Sequence, residues 1–269
     1  MPLAEERRNR LLELVRVRGF ASLPELVDEM GVSESTVRRD LDQLEGLGSA
    51  KRTHGGVFYT GSAPPQLPPF DERQPAQWDK KRLIAERASQ LVQNGDSLVL
   101  DGGSTTYEVA RLLVGRSLQI VTNSLPVANL FSAAANSDLV VLGGYVYPRT
   151  GVTLGPHANH MLAGLSVRKT ILSVAGINER GFFNSNLLLV ETERAMMRCA
   201  EQVIVVADST KFGHQSLANL CSLDAVHCLV VDDEIEPKWT ERLSDAGVNV
   251  LIAEKNADVS QPPVNGPAK

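Results

Sequence analysis

The sequence lacks several features that define common protein classes. Its three cysteines are an odd number and form no C-x-x-C pair, so neither a disulfide framework nor a cysteine-rich zinc site is expected. No apolar run approaches the ~18 residues of a membrane span. The first residues have no apolar stretch typical of a signal peptide. We therefore expect a soluble, cytoplasmic protein that has no cofactor.

The chain also lacks a basic charge excess. It has 27 Lys and Arg against 32 Asp and Glu, a net charge of −5. This balance argues against a protein that coats nucleic acid or an anionic membrane. The first 58 residues, with 9 basic and 10 acidic side chains, are nearly neutral. Any DNA binding by this segment would depend on a few well-placed basic residues and on pairing of subunits.

Prolines divide the chain. Five of the 14 fall within residues 59–77, and proline lacks the N–H that a helix interior or a central strand needs. We predict an N-terminal domain at 1–58, a proline-rich linker at 59–77, a larger domain at 78–257 and a flexible tail at 258–269.

The N-terminal segment has the pattern of a winged helix-turn-helix. Ser22 and Glu25 have capping-box spacing, Gly31 suits a left-handed helix end, and Ser33 can cap a third helix. A β-hairpin around Gly55-Gly56 would form the wing. Arginine and glutamine can read bases, and serine or threonine can bind phosphate. The alternative is a small helical interaction domain with a solvated polar face. The predicted DNA contacts are Ser33, Ser35, Thr36, Arg38, Arg39, Gln43, Lys51, Arg52 and His54.

The larger segment alternates short apolar runs with amphipathic helices. Seven such runs predict a Rossmann-like parallel sheet covered on both faces, an α/β fold. The runs are 97–100, 118–122, 139–142, 170–174, 203–207, 228–231 and 248–252. A ligand site in such a sheet lies beyond the carboxyl ends of the strands.

Polar or glycine-rich loops follow four of these runs. Glycines, hydroxyls and a helix N-terminus suit a phosphate, and Lys211 can neutralise its charge. The loops match neither a Walker loop nor a dinucleotide fingerprint, and the first could be a simple strand-to-helix turn. We predict a site for a small phosphorylated polyol or sugar. Its residues are Asp101, Gly102, Gly103, Ser104, Thr105, Thr106, Thr122, Asn123, Ser124, Gly143, Gly144, Asp208 and Lys211.

Motifs throughout the chain resemble the DeoR family of bacterial transcription regulators. They include V-S-E-S-T-V-R-R-D-L-D-Q-L-E at 32–45, K-R-T-H-G-G at 51–56, L-D-G-G-S-T-T at 100–106 and D-S-T-K-F-G at 208–213. The resemblance implies a sequence-specific DNA-binding domain and an effector domain similar in fold to phosphosugar isomerases. It implies a sugar-phosphate effector that releases operator DNA.

The same resemblance adds Glu191, at the start of a helix, to the effector site. It makes Arg149 and His157 weaker candidates for ligand contact.

We therefore expect a homo-oligomeric regulator, dimeric or tetrameric, that binds double-stranded operator DNA and represses a carbohydrate operon. An activator remains open, as does a phosphosugar isomerase with Asp101, Glu191, Asp208 and Lys211 as acid or base. His157 and His160 share a helix face but have no evident third ligand, so no metal site is predicted.

Overall fold

A computed structural model describes residues 4–18, 20–53, 56–59 and 68–254. His54, residues 60–67 of the predicted linker and the predicted tail therefore lie outside the described residues. No helix in the described ranges is long and apolar enough to cross a membrane.

Three helices and a small antiparallel sheet form the N-terminal domain. The sheet has the order β1-β3-β2, so the predicted hairpin is joined by a third strand that the sequence did not predict. Leu11, Val15, Leu26, Leu41 and Val57 are buried in its core. The elements are α1 (Ala4–Arg18), β1 (Phe20–Ser22), α2 (Leu23–Met30), α3 (Glu34–Gly46), β2 (Ala50–Thr53) and β3 (Gly56–Tyr59).

The predicted helix ends are present in this domain. The Ser22 side chain accepts from the Glu25 amide, and the Glu25 carboxylate accepts from the Ser22 amide at 2.8 Å. Gly31 ends α2 in the left-handed conformation with φ 61°. Ser33 caps α3 by accepting from the Thr36 amide. These caps fix the turn between α2 and α3.

The larger domain is built on a seven-stranded parallel sheet. Its strand order is β15-β14-β12-β9-β4-β5-β6, and all six neighbouring pairs are parallel. This confirms the predicted Rossmann-like fold. The elements are α4 (Phe70–Arg73), α5 (Trp78–Ser89), β4 (Ser97–Leu100), α6 (Ser104–Leu113), β5 (Leu118–Thr122), α7 (Leu125–Phe131), β6 (Ser137–Val141), β7 (Tyr145–Tyr147), β8 (Val152–Leu154), α8 (Pro156–Ala163), β9 (Val167–Ser173), β10 (Gly176–Asn178), β11 (Gly181–Asn184), α9 (Leu187–Arg198), β12 (Ala200–Val206), β13 (Ala218–Cys221), β14 (Cys228–Asp232), α10 (Pro237–Asp245) and β15 (Asn249–Ala253).

Helices cover both faces of this sheet, as the unbroken apolar strands predict. On one face, buried residues of α5, α6 and α7 such as Ile84, Val109 and Phe131 pack together. On the other face, α8, α9 and α10 contribute Leu162, Met196 and others. Alternate strand residues feed each core, which is why the strands are apolar throughout.

Residues 68–77, the end of the predicted linker, fold against the larger domain. They contain α4, and the Phe70 ring packs edge-on against Tyr107 with centroids 5.4 Å apart. The Phe70 amide donates to the Arg149 carbonyl at 3.0 Å. This segment is therefore placed to form part of a site.

An apolar cluster joins the two domains. Val152, Leu154, Leu188 and Leu189 form its buried part, and Phe20 of β1 packs against them together with Tyr145 and Tyr147. We call these seven residues the bridging cluster. It brings the N-terminal domain into contact with the β7–β8 hairpin and with the start of α9.

Candidate functional site

Helix α3 has one buried face and one exposed polar face. Val37, Leu41 and Leu44 are buried, and Asp40 on the same side accepts from the Arg7 guanidinium at 2.6 Å. Ser35, Thr36 and Gln43 lie outside this core. The core face and the α1–α3 ion pair therefore hold the polar face of α3 towards solvent.

The basic residues that are predicted to contact DNA differ in whether they already form an ion pair within the domain. Arg38 bonds Glu34 at 2.6 Å, one turn earlier on α3. Arg52 of the wing pairs with Asp42, and its amide donates to Glu45. Arg39 and Lys51 are exposed and form no ion pair with a described residue. Arg39 and Lys51 can therefore meet an anion without breaking an existing bond.

The hydroxyls at the start of α3 form a small network. Ser33 Oγ lies 3.0 Å from Ser35 Oγ and 2.8 Å from Thr36 Oγ1. Together with the free amides of the first helical turn, they make a donor-rich helix end of the kind that binds phosphate.

A cavity lies at the carboxyl ends of β4, β9 and β12. The chain runs from β4 to β6 on one side of the sheet and returns to build β9 to β15 on the other, so this is a topological switch point. The lining residues are Arg73, Ala76, Gln77, Lys81, Asp101, Gly102, Gly103, Ser104, Thr105, Thr150, Val152, Ser173, Val174, Ala175, Asn184, Leu189, Glu193, Asp208 and Lys211.

The loop after β4 lines this cavity. Asp101 is buried and holds the loop, since it accepts from the Gly103 amide at 2.9 Å and from the Ser173 amide at 2.8 Å. A Cβ on Gly102 would lie 2.0 Å from Val152, and one on Gly103 would lie 1.5 Å from Ser173. A side chain at either position would therefore displace Val152 or Ser173, and glycine lets the loop approach both residues closely.

Three cations line the same cavity. The Lys81 side chain is buried and donates to the carbonyls of Arg73 and Ala76. Burial lowers the pKa of Lys81 to about 8, and the nearby charge of Asp208 opposes this shift. Burial also lowers the pKa of Arg73, against the charge of Asp101. Lys211 Nζ lies 3.9 Å from Asp208. We call Arg73, Lys81 and Lys211 the cationic group.

Seven of the predicted effector residues line the cavity, and seven do not. Asp101 to Thr105, Asp208 and Lys211 are in the lining, whereas the loops after β5 and β6 are not. The β7–β8 hairpin covers these loops: the Thr153 amide donates to the Asn123 carbonyl at 2.7 Å. The predicted residues outside the lining are Thr106, Thr122, Asn123, Ser124, Gly143, Gly144 and Glu191.

These residues have structural contacts instead. Thr122 donates to the Leu100 carbonyl, Asn123 donates to the Thr153 carbonyl, and Ser124 caps α7. Glu191 is exposed on α9 and faces Glu25 of α2. The part of the carboxyl that is desolvated and the negative charge of Glu25 together raise the pKa of Glu191. Glu191 therefore lies between the domains.

The remaining candidates are peripheral. Arg149 is not in the cavity lining, and His157 and His160 are exposed on α8. No group of three metal-ligating side chains occurs within the ranges that the structure describes.

The sequence did not predict the other lining residues as site residues. Lys81 carried a signal, because it shares the helical stripe of Ile84, Ala85 and Ala88, where a lysine is out of place. Gln77, the N-cap of α5, adopts φ 53° in the cavity wall, a conformation unusual for a residue with a side chain. Asn184 lies at the end of β11, and Glu193 lies on α9. No local sequence pattern indicated that these two elements line the cavity.

Two family models match the chain. The DeoR-like helix-turn-helix domain matches residues 7–62, and the DeoR C-terminal sensor domain matches residues 76–233. The chain belongs to the DeoR family. It is a helix-turn-helix transcriptional regulator. The first match covers most of the small domain, and the second covers the sheet domain from α5 to the end of β14.

Relatives agree with this membership. The HTH-type transcriptional regulator YulB of Bacillus subtilis is 31% identical over 249 residues, covering 92% of this chain and 96% of YulB. The HTH-type transcriptional regulator UlaR of Escherichia coli is 29% identical over 248 residues, covering 91% of this chain and 98% of UlaR. Because the DeoR family is regulatory, the isomerase alternative is not favoured.

A solved structure also matches part of the chain. Ribose 5-phosphate isomerase A of Methanocaldococcus jannaschii superposes with a TM-score of 0.38 at 18% identity, over 51% of this chain and 55% of that chain.

Proposed function

We propose that this DeoR regulator is a repressor of a carbohydrate operon whose affinity for operator DNA is lowered by a phosphorylated sugar. The observation that carries the proposal is the cavity itself. Three cations and a glycine-rich loop at a helix N-terminus line one recess at the switch point of the sheet. Cations and open amides are the groups that bind a phosphate.

The phosphate would lie against Gly102 to Thr105, with Lys211 and Lys81 beside it. Lys211 is half-exposed and can move towards an anion, while Lys81 is fixed by two carbonyls. We keep Asp101 in the site as the residue that shapes the loop, because its oxygens already accept from neighbouring amides. Thr106, Thr122, Asn123, Ser124, Gly143 and Gly144 would support the site without touching the ligand.

Operator DNA would be read by α3 and the wing. Arg39 and Gln43 would contact bases, and the Ser33, Ser35 and Thr36 hydroxyls would contact phosphate. Lys51 would contact the DNA backbone directly. Arg38 and Arg52 would first leave their carboxylate partners, Glu34 and Asp42, in order to bind a DNA phosphate. His54 stays a prediction for the wing. Because the DNA-binding domain has no basic excess, one copy should bind DNA weakly. We propose that two or more copies of this cytoplasmic protein bind paired half-sites together.

The proposal is tested in two steps. The operator is first selected from a random duplex DNA pool with the full-length protein. Thermal unfolding is then followed with pentose, hexose and polyol phosphates, since a ligand that binds the folded state raises its stability. A sugar phosphate that raises the unfolding temperature and releases the selected DNA supports the proposal. Absence of any stabilising sugar phosphate would reject the effector class.

A further inference from the structure

Glu193 is a buried carboxyl in the cavity wall that the proposed phosphate site does not use. It lies on α9, is 1% exposed and lines the cavity. Its Oε1 accepts from Asn184 Nδ2 at 2.7 Å. Its Oε2 is buried and has no hydrogen-bond partner among the described residues. A buried polar atom without a partner is costly, and such atoms are frequent at ligand sites.

The surroundings of Glu193 favour its neutral form. Burial raises the pKa of Glu193 well above its usual range, and the charge of Asp101 adds to this effect. The Asn184 amide is oriented by its own carbonyl, which accepts from the Ser185 amide at 3.0 Å. Asn184 therefore presents N–H to Oε1, so in the neutral form of the carboxyl the proton lies on Oε2. That oxygen carries a hydrogen-bond donor without an acceptor.

The donor lies apart from the cationic group in its interactions. The Glu193 carboxyl bonds the Asn184 amide, and no hydrogen bond or ion pair between described residues joins it to Arg73, Lys81 or Lys211. A second buried group without a partner, the Thr150 hydroxyl, also lines the cavity. The cavity thus combines an anion-binding part with an uncharged hydrogen-bonding part.

We propose that the Glu193 carboxyl is a specificity-determining group that donates a hydrogen bond from Oε2 to a hydroxyl or carbonyl oxygen on the sugar part of the ligand, while the phosphate lies at the cationic group. This inference rests on the function proposed above. A cation at Glu193 is disfavoured, because Asp101, the nearby carboxylate, already accepts from the amides of Gly103 and Ser173.

Isothermal titration calorimetry of the full-length protein tests this assignment. The probes are inorganic phosphate and the tightest-binding member of a panel of pentose, hexose and polyol phosphates. Glu193→Met keeps the length of the side chain but has no donor. We expect it to lose roughly tenfold in affinity for the sugar phosphate while changing the affinity for inorganic phosphate by less than about twofold.

Two further variants separate hydrogen bonding from folding. Glu193→Gln retains an N–H donor of similar shape, so we expect sugar-phosphate affinity within about threefold of wild type. Thr192→Val is the matched control, because Thr192 is the buried neighbour on α9 with an unpartnered hydroxyl outside the lining. It should change neither affinity. If Glu193→Met does not fold, Glu193→Ala replaces it.

The outcomes distinguish the two proposals. If wild type binds no member of the panel, the effector class is wrong and this inference is wrong with it. If wild type binds a sugar phosphate and Glu193→Met binds it equally well, only this inference is overturned. Equal losses for inorganic phosphate and the sugar phosphate would also overturn it, since Glu193 would then act on the anion.

Discussion

Lys81 is a charged side chain that the fold keeps inside the larger domain. The residue is 4% exposed, and its ammonium donates to the carbonyls of Arg73 and Ala76, two residues of the segment that precedes α5. Such a lysine is costly unless it binds an anion or holds a backbone in place. The structure shows the second function, because the carbonyls that Lys81 holds belong to residues of the cavity wall.

The affinity for a sugar phosphate should fall as pH rises from 7 to 9. Burial lowers the pKa of Lys81 to about 8, so the unliganded site loses this charge in that range. Both phosphate protons are already lost above the second phosphate pKa of about 6. Calorimetry at pH 7, 8 and 9 measures the effect. A Lys81→Arg protein stays charged and should have a flatter profile; an affinity of wild type that is constant to pH 9 would contradict the assignment.

Arg39 is the arginine of α3 whose guanidinium is available for contact with a DNA base. It is exposed and has no described acidic partner, unlike Arg38. We expect Arg39→Ala to weaken operator binding by about 1–3 kcal/mol if the contact is bidentate, and to relax base preference at one position. Arg16→Ala, an exposed arginine of α1 paired with Glu13, is the control. Equal operator affinity of the two variants in anisotropy titrations would refute the role of Arg39.

The two N-cap serines of the helix-turn-helix allow the effect of a substitution on stability to be separated from its effect on DNA binding. Ser22 caps α2 and Ser33 caps α3 in the same way, each by accepting from the third helical amide. Either alanine substitution should lower the free energy of unfolding by about 1 kcal/mol, measured by denaturant titration. Only Ser33→Ala should also weaken operator binding. A similar loss of operator affinity in Ser22→Ala would show that Ser33 acts through folding alone.

The strands of the sheet could be predicted because each is a run of apolar residues between helices. The ranges of β4 and β5 agree with the predicted runs 97–100 and 118–122. The β7–β8 hairpin and the sheet of β10, β11 and β13 could not, because their strands have only three or four residues. In addition, β11 pairs with β13, for example Phe182 with Cys221, across a distance in the chain that a local pattern does not record.

The β7–β8 hairpin also explains which of the cavity-lining residues could be predicted from the sequence. All the strand-end loops look alike in sequence, with glycine, serine, threonine or asparagine after an apolar run. The hairpin covers the loop after β5, through the pairing of Ser124 with Val152, and leaves the loop after β4 open. The sequence therefore predicted the edge of the sheet that holds the site. It could not show which loops are covered, nor that α4 and α9 complete the wall.

The bridging cluster offers a route from the cavity to the DNA-binding domain. Val152 and Leu189 belong both to the cavity lining and to this cluster, and Phe20 of the DNA-binding domain packs against them. A ligand can change operator affinity only if it binds one arrangement of the domains more tightly than another. Displacement of either lining residue by a ligand would alter the surface on which Phe20 rests.

Phe20→Ala should therefore weaken the response to the effector. We expect the variant to bind the sugar phosphate as wild type does, but to release operator DNA less completely at saturation. Calorimetry measures the first quantity and anisotropy the second. The control is Leu47→Ala, which removes an exposed apolar side chain of the same domain outside the bridging cluster. An undiminished release in Phe20→Ala would exclude this route.

The operator dissociation constant with and without a sugar phosphate is the most direct test of a metabolite-responsive repressor. It is measured by fluorescence anisotropy with the selected operator, the full-length protein and the tightest-binding member of the panel. We expect saturating sugar phosphate to raise the wild-type dissociation constant by roughly tenfold, a coupling of typical size. Lys211→Ala should require more sugar phosphate for the same release, and Lys238→Ala, an exposed lysine of α10, should not. An operator affinity that stays constant while calorimetry shows the sugar phosphate bound would contradict the account.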